Sequence, residues 1–273
     1  MKKTEMVLAG LFNPALAFSN VLRRFPIGSF EFRMALDGVR RPNYAYAMFY
    51  AAKQAKNLGI PRISVIEFGV AAGNGLLAME NIAEEVENIT GTGIDLFGFD
   101  MGTGLPSPSD YRDLPYIFKR GFFKMDSSHL RVQLKKTTRL LLGDVADTIL
   151  EFQKMDNAPL GFAAFDLDFY SSTIHALKVL SAGYERLIPR VYCYFDDTQG
   201  CREELYNEYT GELLAIHEFN QRHANRKIAL IHGLINHRII KSSWCHSMYA
   251  LHAFEHPLYN RYVPDRQEDA PLD

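Results

Sequence analysis

The chain has 273 residues, 47% hydrophobic and 23% charged, a balance that suits a globular protein with a buried core and excludes a disordered chain or a membrane bundle. Its formal net charge is −2, with Lys and Arg spread along the sequence rather than gathered in the basic stripe of a nucleic-acid binder. Cys193, Cys201 and Cys245 are odd in number and lack metal-ligand spacing, so reduced thiols of a cytoplasmic protein are expected rather than a disulfide framework.

In chain order, Lys2 and Lys3 followed by an apolar run faintly resemble a secretory signal, but Asn13-Pro14 interrupts the run. It is also shorter than the roughly 20 residues that span a bilayer. Residues 1–60 are therefore expected to form a helical arm that caps the domain, with a helix over 42–58 bounded by Pro42 and Gly59. Residues 63–68, ISVIEF, are a nearly continuous apolar run and predict a strand buried on both faces. A glycine-rich turn and a helix over 76–88 follow. Further strands are expected at 94–100, 138–142, 161–166 and 191–195, with helices at 145–153, 172–186 and 202–222.

Strands alternating with helices mean parallel pairing by right-handed crossovers. The segments 227–231 and 247–254 have no helical pattern between them and should pair antiparallel at one edge. The expected fold is α/β, a doubly wound, mostly parallel, seven-stranded Rossmann-like sheet with an antiparallel edge strand, in one domain over 1–273. Two stretches are too long for plain connections: 101–136, expected to be a lid, and 232–246, expected to be a substrate-side insertion. Both should lie at the carboxyl ends of the strands, where open α/β sheets bind ligands.

The first strand runs into Glu67-Phe68-Gly69-Val70-Ala71-Ala72-Gly73-Asn74-Gly75, an E-x-G-x-x-x-G-x-G pattern at a strand-to-helix junction. Glycines there permit a tight turn and a close backbone approach to a ligand. The close glycine pair comes last, whereas the dinucleotide fingerprint places it first, which disfavours a nicotinamide dehydrogenase. The segment resembles motif I of the class I S-adenosylmethionine methyltransferases. The resemblance implies an S-adenosylmethionine contact set of Glu67, Gly69, Ala71, Gly73, Asn74, Gly75, Asp100, Met101, Asp144, Val145 and Asp166. Asp100 would accept from the ribose hydroxyls, Glu67 would meet the ammonium of the methionyl end, and Asp144 with the Val145 amide would meet the adenine. Competing structural roles are a helix N-cap for Asp144 and a turn for Asp100, whereas a lone carboxylate at Glu67 would be costly to bury without a partner.

The fourth and fifth strands end in AAFDLDFYSST and VYCYFDD, so Asp166, Asp168, Asp196 and Asp197 converge at adjacent strand ends. Carboxylates this close repel unless a cation sits among them, and hard oxygen donors suit Mg²⁺. The competing role for Asp168 and Asp197 is to cap the following helices. The fragments GFDMGTGLP, DLDFYSST and FDD are similar to the macrocin O-methyltransferase (TylF-like) family, over roughly residues 63–200. That resemblance implies Mg²⁺ on Asp166, Asp196 and Asp197, with Asp166 or Asp168 accepting the substrate proton. Departures are Ile188-Pro189-Arg190 where a Gly-Gly pair usually stands, and Phe169 where catechol-type enzymes carry a lysine.

His232, His237, Cys245 and His246 fit no standard zinc spacing. Residues 116–125 mix aromatics with Lys119, Arg120 and Lys124 and suit either a packed lid or a grip on an anionic or planar substrate. The function expected is O-methylation of a small-molecule hydroxyl with divalent-metal help. The alternatives are a metal-independent methyltransferase or a non-catalytic cofactor-binding module. Expected partners are a small-molecule acceptor and a second copy of the chain, with neither nucleic acid nor membrane.

Overall fold

A computed structural model describes residues 14–200 and 203–263. The apolar run after Ile60 is β1 (Arg62–Phe68), buried throughout after Arg62. The other strands are β2 (Gly93–Asp100), β3 (Arg139–Leu142), β4 (Leu160–Phe165), β5 (Leu187–Phe195), β6 (Arg226–Leu230) and β7 (Met248–Ala253). They form one sheet in the order β3-β2-β1-β4-β5-β7-β6. β1 to β5 pair in parallel, while β7 runs antiparallel to both β5 and β6, so an antiparallel pair closes that edge.

The helices are α1 (Pro14–Arg24), α2 (Phe30–Ala35), α3 (Pro42–Leu58), α4 (Asn74–Thr90), α5 (Ser127–Gln133), α6 (Val145–Lys154), α7 (Tyr170–Ala176) and α8 (Gly211–Arg222). α3 packs on α4 and on β1, β4 and β5, while α6, α7 and α8 pack in series. Right-handed crossovers leave β1 in one direction and return to β4 in the other, which puts the topological switch point between β1 and β4.

A row of aromatic rings levels the strand ends there. Phe68 lies opposite both Phe99 and Phe165 in register, and Phe165 lies opposite Phe195. The ring centroids are 4.7 Å apart for Phe68–Phe99, 5.2 Å for Phe68–Phe165 and 4.6 Å for Phe165–Phe195. Phe68–Phe165 and Phe165–Phe195 are stacked and Phe68–Phe99 is tilted, contacts that add to the area buried. All four rings are buried, and the residue after each is Gly69, Asp100, Asp166 or Asp196. The four chains therefore leave the core at one height.

The seven strands, and the helices over 42–58 and 145–153, lie where the pattern puts them. Two helices are shorter than predicted. The 172–186 segment is helical as α7 only to Ala176, then continues as 3₁₀ turns at Leu177–Ser181 and Tyr184–Arg186. Thr173 bonds its hydroxyl back to the Phe169 carbonyl at 2.8 Å, and Ala182-Gly183 turns extended, so the helical ladder does not propagate. Of the segment predicted as a helix over 202–222, the described residues from 203 are helical only from Gly211, after turns with Leu205 at φ 51. The 101–136 stretch is not structureless, since it carries a 3₁₀ turn at Tyr111–Asp113 and α5.

The signal-like residues before Pro14 lie outside the described residues, as does Cys201; Cys193 and Cys245 are buried free thiols. No helix among the described residues is long and apolar enough to cross a membrane.

The 232–246 stretch is pinned at both ends. Arg238 pairs with Asp37 at 2.7 Å with both side chains buried, and Ser242 and the Trp244 indole also donate to Asp37. Its far end reaches the exit of β5, where Ser247 accepts on its carbonyl from the Phe195 N–H at 3.0 Å.

Candidate functional site

The exit of β1 is built around atoms that leave no room for side chains. Gly69 has φ 84, and a Cβ there would lie 1.7 Å from the Asp166 carbonyl oxygen. The ladder continues past the strand ends, since Gly69 N–H donates to Phe99 O at 2.9 Å and Asp166 N–H donates to Phe68 O at 3.0 Å. Gly73, at φ 82, is the N-cap of α4, and Leu130 of α5 folds over it. A Cβ on Gly75 would lie 1.7 Å from Glu67 Oε1.

Asp100 ties this turn to the next strand. Its Oδ2 accepts from the Ala71 N–H at 2.8 Å and its Oδ1 from the Gly102 N–H at 2.6 Å. Glu67 lies behind the turn, 2% exposed, with Tyr44 donating its hydroxyl to Oε1 at 2.9 Å and nothing on Oε2. Burial pushes its pKa up to about 7, against the pull of Tyr44 and the Arg41 guanidinium.

Beyond this turn opens a cavity of about 350 Å³ at the switch point. Of the residues singled out in the sequence, Gly69, Ala71, Asp100, Met101, Asp144, Val145, Asp166, Asp168, Asp196 and Asp197 line it. Glu67, Gly73, Asn74 and Gly75 shape the turn without lining the cavity. Asp144 faces the cavity and is also the N-cap of α6, accepting from the Ala146 N–H at 2.8 Å. Leu105, Phe118 and Phe123, from the long stretch after β2, close one side.

Part of the wall is acidic. Asp166, Asp196 and Asp197 each place one carboxylate oxygen within 4.8 Å of the others. No Lys or Arg among the described residues forms an ion pair with them. Burial first, then Asp196 and Asp197, holds Asp166 well above the usual carboxylate range. Burial, then Asp197, pushes Asp168 up to about 8; burial, then Asp196, pushes Asp197 up to about 6. Neither Asp168 nor Asp197 caps a helix with its side chain. Instead Asp168, at φ 58, donates its N–H to Asp197 Oδ2 at 2.8 Å, and Asp197 Oδ1 accepts from the Tyr206 hydroxyl at 2.9 Å. Tyr194 donates its hydroxyl to Asp196 at 2.9 Å.

Sequence reasoning missed Glu212. It is wholly buried in the first turn of α8, accepts from the Asp197 N–H at 3.0 Å and leaves Oε1 unpartnered. A glutamate next to a helix start reads as an ordinary first-turn acid, so only the fold reveals it. The phenylalanine before each strand-end residue was a usable signal, repeated at Phe68, Phe99, Phe165 and Phe195. His232, His237, Cys245 and His246 do not assemble; the acidic trio is the one potential metal-holding group among the described residues.

No protein-family model matches the sequence, and no curated protein does either. Among solved structures, the crystal structure of CalS11, a calicheamicin methyltransferase, is similar over 92% of this chain and 91% of its own. The identity is 18% and the TM-score 0.55. The O-methyltransferase TomG from Streptomyces achromogenes, solved with S-adenosylmethionine, overlaps 92% of this chain and 98% of its own at 12% identity and TM-score 0.43. By its strand order and by the likeness to CalS11, the chain has the fold of the class I methyltransferases.

Proposed function

We propose that this protein is an S-adenosylmethionine-dependent enzyme that methylates a hydroxyl of a small molecule, assisted by a divalent cation. The observation that carries the reading is the placement of one cavity at the switch point, lined both by Gly69 and Ala71 of the glycine turn and by Asp166, Asp196 and Asp197, whose carboxylates come within 4.8 Å of one another. The residues fit both groups. Gly69 and Ala71 keep the turn free of bulk where a cofactor would pass, and the acidic wall offers only hard oxygen donors. The likeness to CalS11, a calicheamicin methyltransferase, supports a small-molecule acceptor.

Asp166, Asp196 and Asp197 would hold the cation, which when bound supplies a Lewis acid that lowers the pKa of a hydroxyl. Asp100, Asp144 and Val145 would orient the nucleoside. The acceptor oxygen then forms its bond to the methyl carbon as the carbon–sulfur bond breaks, leaving S-adenosylhomocysteine and a proton. Asp166 or Asp168, both on the cavity wall, would accept that proton. Residues 101–136 serve in this reading as a lid, since Leu105, Phe118 and Phe123 line the cavity and Leu130 covers the glycine turn. Residues 232–246 serve as a support beside the exit of β5.

The test is incubation with methyl-labelled S-adenosylmethionine, Mg²⁺ and a metabolite extract, followed by mass spectrometry. Labelled methyl ethers support the reading. A folded protein that labels nothing and binds no S-adenosylhomocysteine by calorimetry refutes it. Full turnover in excess chelator, once an acceptor is known, removes the cation and leaves the metal-independent course.

A further inference from the structure

We infer that Arg41 is a binding residue for the carboxylate of the cofactor's methionyl end, an inference that rests on the function proposed above. Arg41 immediately precedes α3 and has left-handed backbone, φ 51 and ψ 66, ahead of Pro42. A non-glycine side chain is held in that region only where its surroundings fix it, and such positions cluster at ligand sites.

Its guanidinium carbon stands 5.4 Å from the ring centroid of Tyr44, and Tyr44 donates its hydroxyl to Glu67 at the end of β1. Cation, ring and carboxylate thus form a short chain ending at the glycine turn. Tyr44 is buried and packs its ring against Phe162 and Tyr194, so the anchor under the guanidinium is rigid. The same guanidinium is within electrostatic reach of Asp166 and Asp196 on the cavity wall.

The cation is half-buried, yet it makes no ion pair with any described carboxylate. Folding has partly desolvated and fixed a charge that rests on the Tyr44 ring and that no described carboxylate pairs directly. Beside it, Glu67 Oε2 is also without a partner. A cation without a carboxylate partner and an unpartnered carboxylate oxygen, linked through Tyr44 behind the glycine turn that borders the cavity, are the complement of an amino-acid zwitterion. A planar guanidinium suits the carboxylate half, since it can donate two parallel N–H bonds.

The experiment compares S-adenosylhomocysteine, which carries the amino-acid end, with 5′-methylthioadenosine, which lacks it. Calorimetry is run on wild type, Arg41→Asn and Arg41→Lys. Asparagine removes the charge but tolerates left-handed backbone, so Arg41→Asn should keep its fold and melting temperature. Loss of a charge-assisted pair should weaken S-adenosylhomocysteine at least about tenfold in Arg41→Asn, with partial recovery in Arg41→Lys and methylthioadenosine unchanged within about twofold. Unchanged S-adenosylhomocysteine affinity overturns the inference, and so does an equal loss for both ligands, which makes Arg41 a shaping residue only. Wild-type protein that binds neither nucleoside overturns the cofactor reading itself, a failure distinct from the other two.

Discussion

The backbone N–H of Asp168 donates to Oδ2 of Asp197 at 2.8 Å, so the tips of β4 and β5 hold one another across the acidic wall. Tyr206 occupies the other oxygen at 2.9 Å. Asp197→Asn would set an amide donor against one of these two donors, at a cost of about 1–3 kcal/mol in urea denaturation. Asp166→Asn and Asp196→Asn should cost less stability. All three should weaken Mg²⁺ in calorimetric titration while leaving S-adenosylhomocysteine affinity nearly intact. Undiminished Mg²⁺ binding by all three would remove the metal site.

The glycine turn should answer unequally to alanine. At Gly69 the added carbon meets the backbone oxygen of Asp166 at 1.7 Å, and only a shift of the β4 exit relieves that, so Gly69→Ala should lose more than about 2 kcal/mol. At Gly73 the added carbon meets the Leu130 side chain, which can turn aside, leaving mainly the backbone penalty of φ 82, about 1 kcal/mol. Gly73→Val should abolish S-adenosylhomocysteine binding. Equal losses for the two alanine variants would contradict the packing described.

Glu67 predicts a pH slope. Its pKa rises from 4.5 unfolded to about 7 folded, so the native state binds the proton more tightly than the unfolded chain. This contribution is complete below about pH 4.5 and is lost as pH climbs through 7. Glu67→Gln should flatten the melting-temperature profile between those values. An unchanged profile would place the titration elsewhere.

The buried pair Asp37–Arg238 joins the 232–246 insertion to the corner between α2 and α3. Removing one partner strands the other, so Arg238→Met should cost about 3–5 kcal/mol by itself, and the double variant with Asp37→Leu should recover part of it. Denaturant midpoints of the two single and one double variant decide this.

If α5 belongs to a lid, S-adenosylhomocysteine with Mg²⁺ should slow amide exchange at Ser127–Gln133, where Leu130 covers Gly73. Exchange that stays the same across this helix would leave it a fixed wall.

Sequence alone determined the sheet. Runs such as ISVIEF can bury both faces only in the middle of a parallel sheet, and their alternation with amphipathic helices fixes the handedness of every crossover. It also located the strand-end acids, because each follows a strand whose boundary is sharp. Tertiary structure decided what each acid does. Asp144 is both a wall and a cap, and Glu67 lies behind the turn rather than in the cavity. Asp168 and Asp197 bond each other instead of capping helices. Glu212, distant in sequence from the motifs, comes to Asp197 through α8, and Arg41, just ahead of α3, comes to Tyr44 and so to Glu67. Hydrophobic periodicity is local and reports burial along one element, whereas a carboxylate's partners and protonation depend on which other elements the fold brings within a few ångströms.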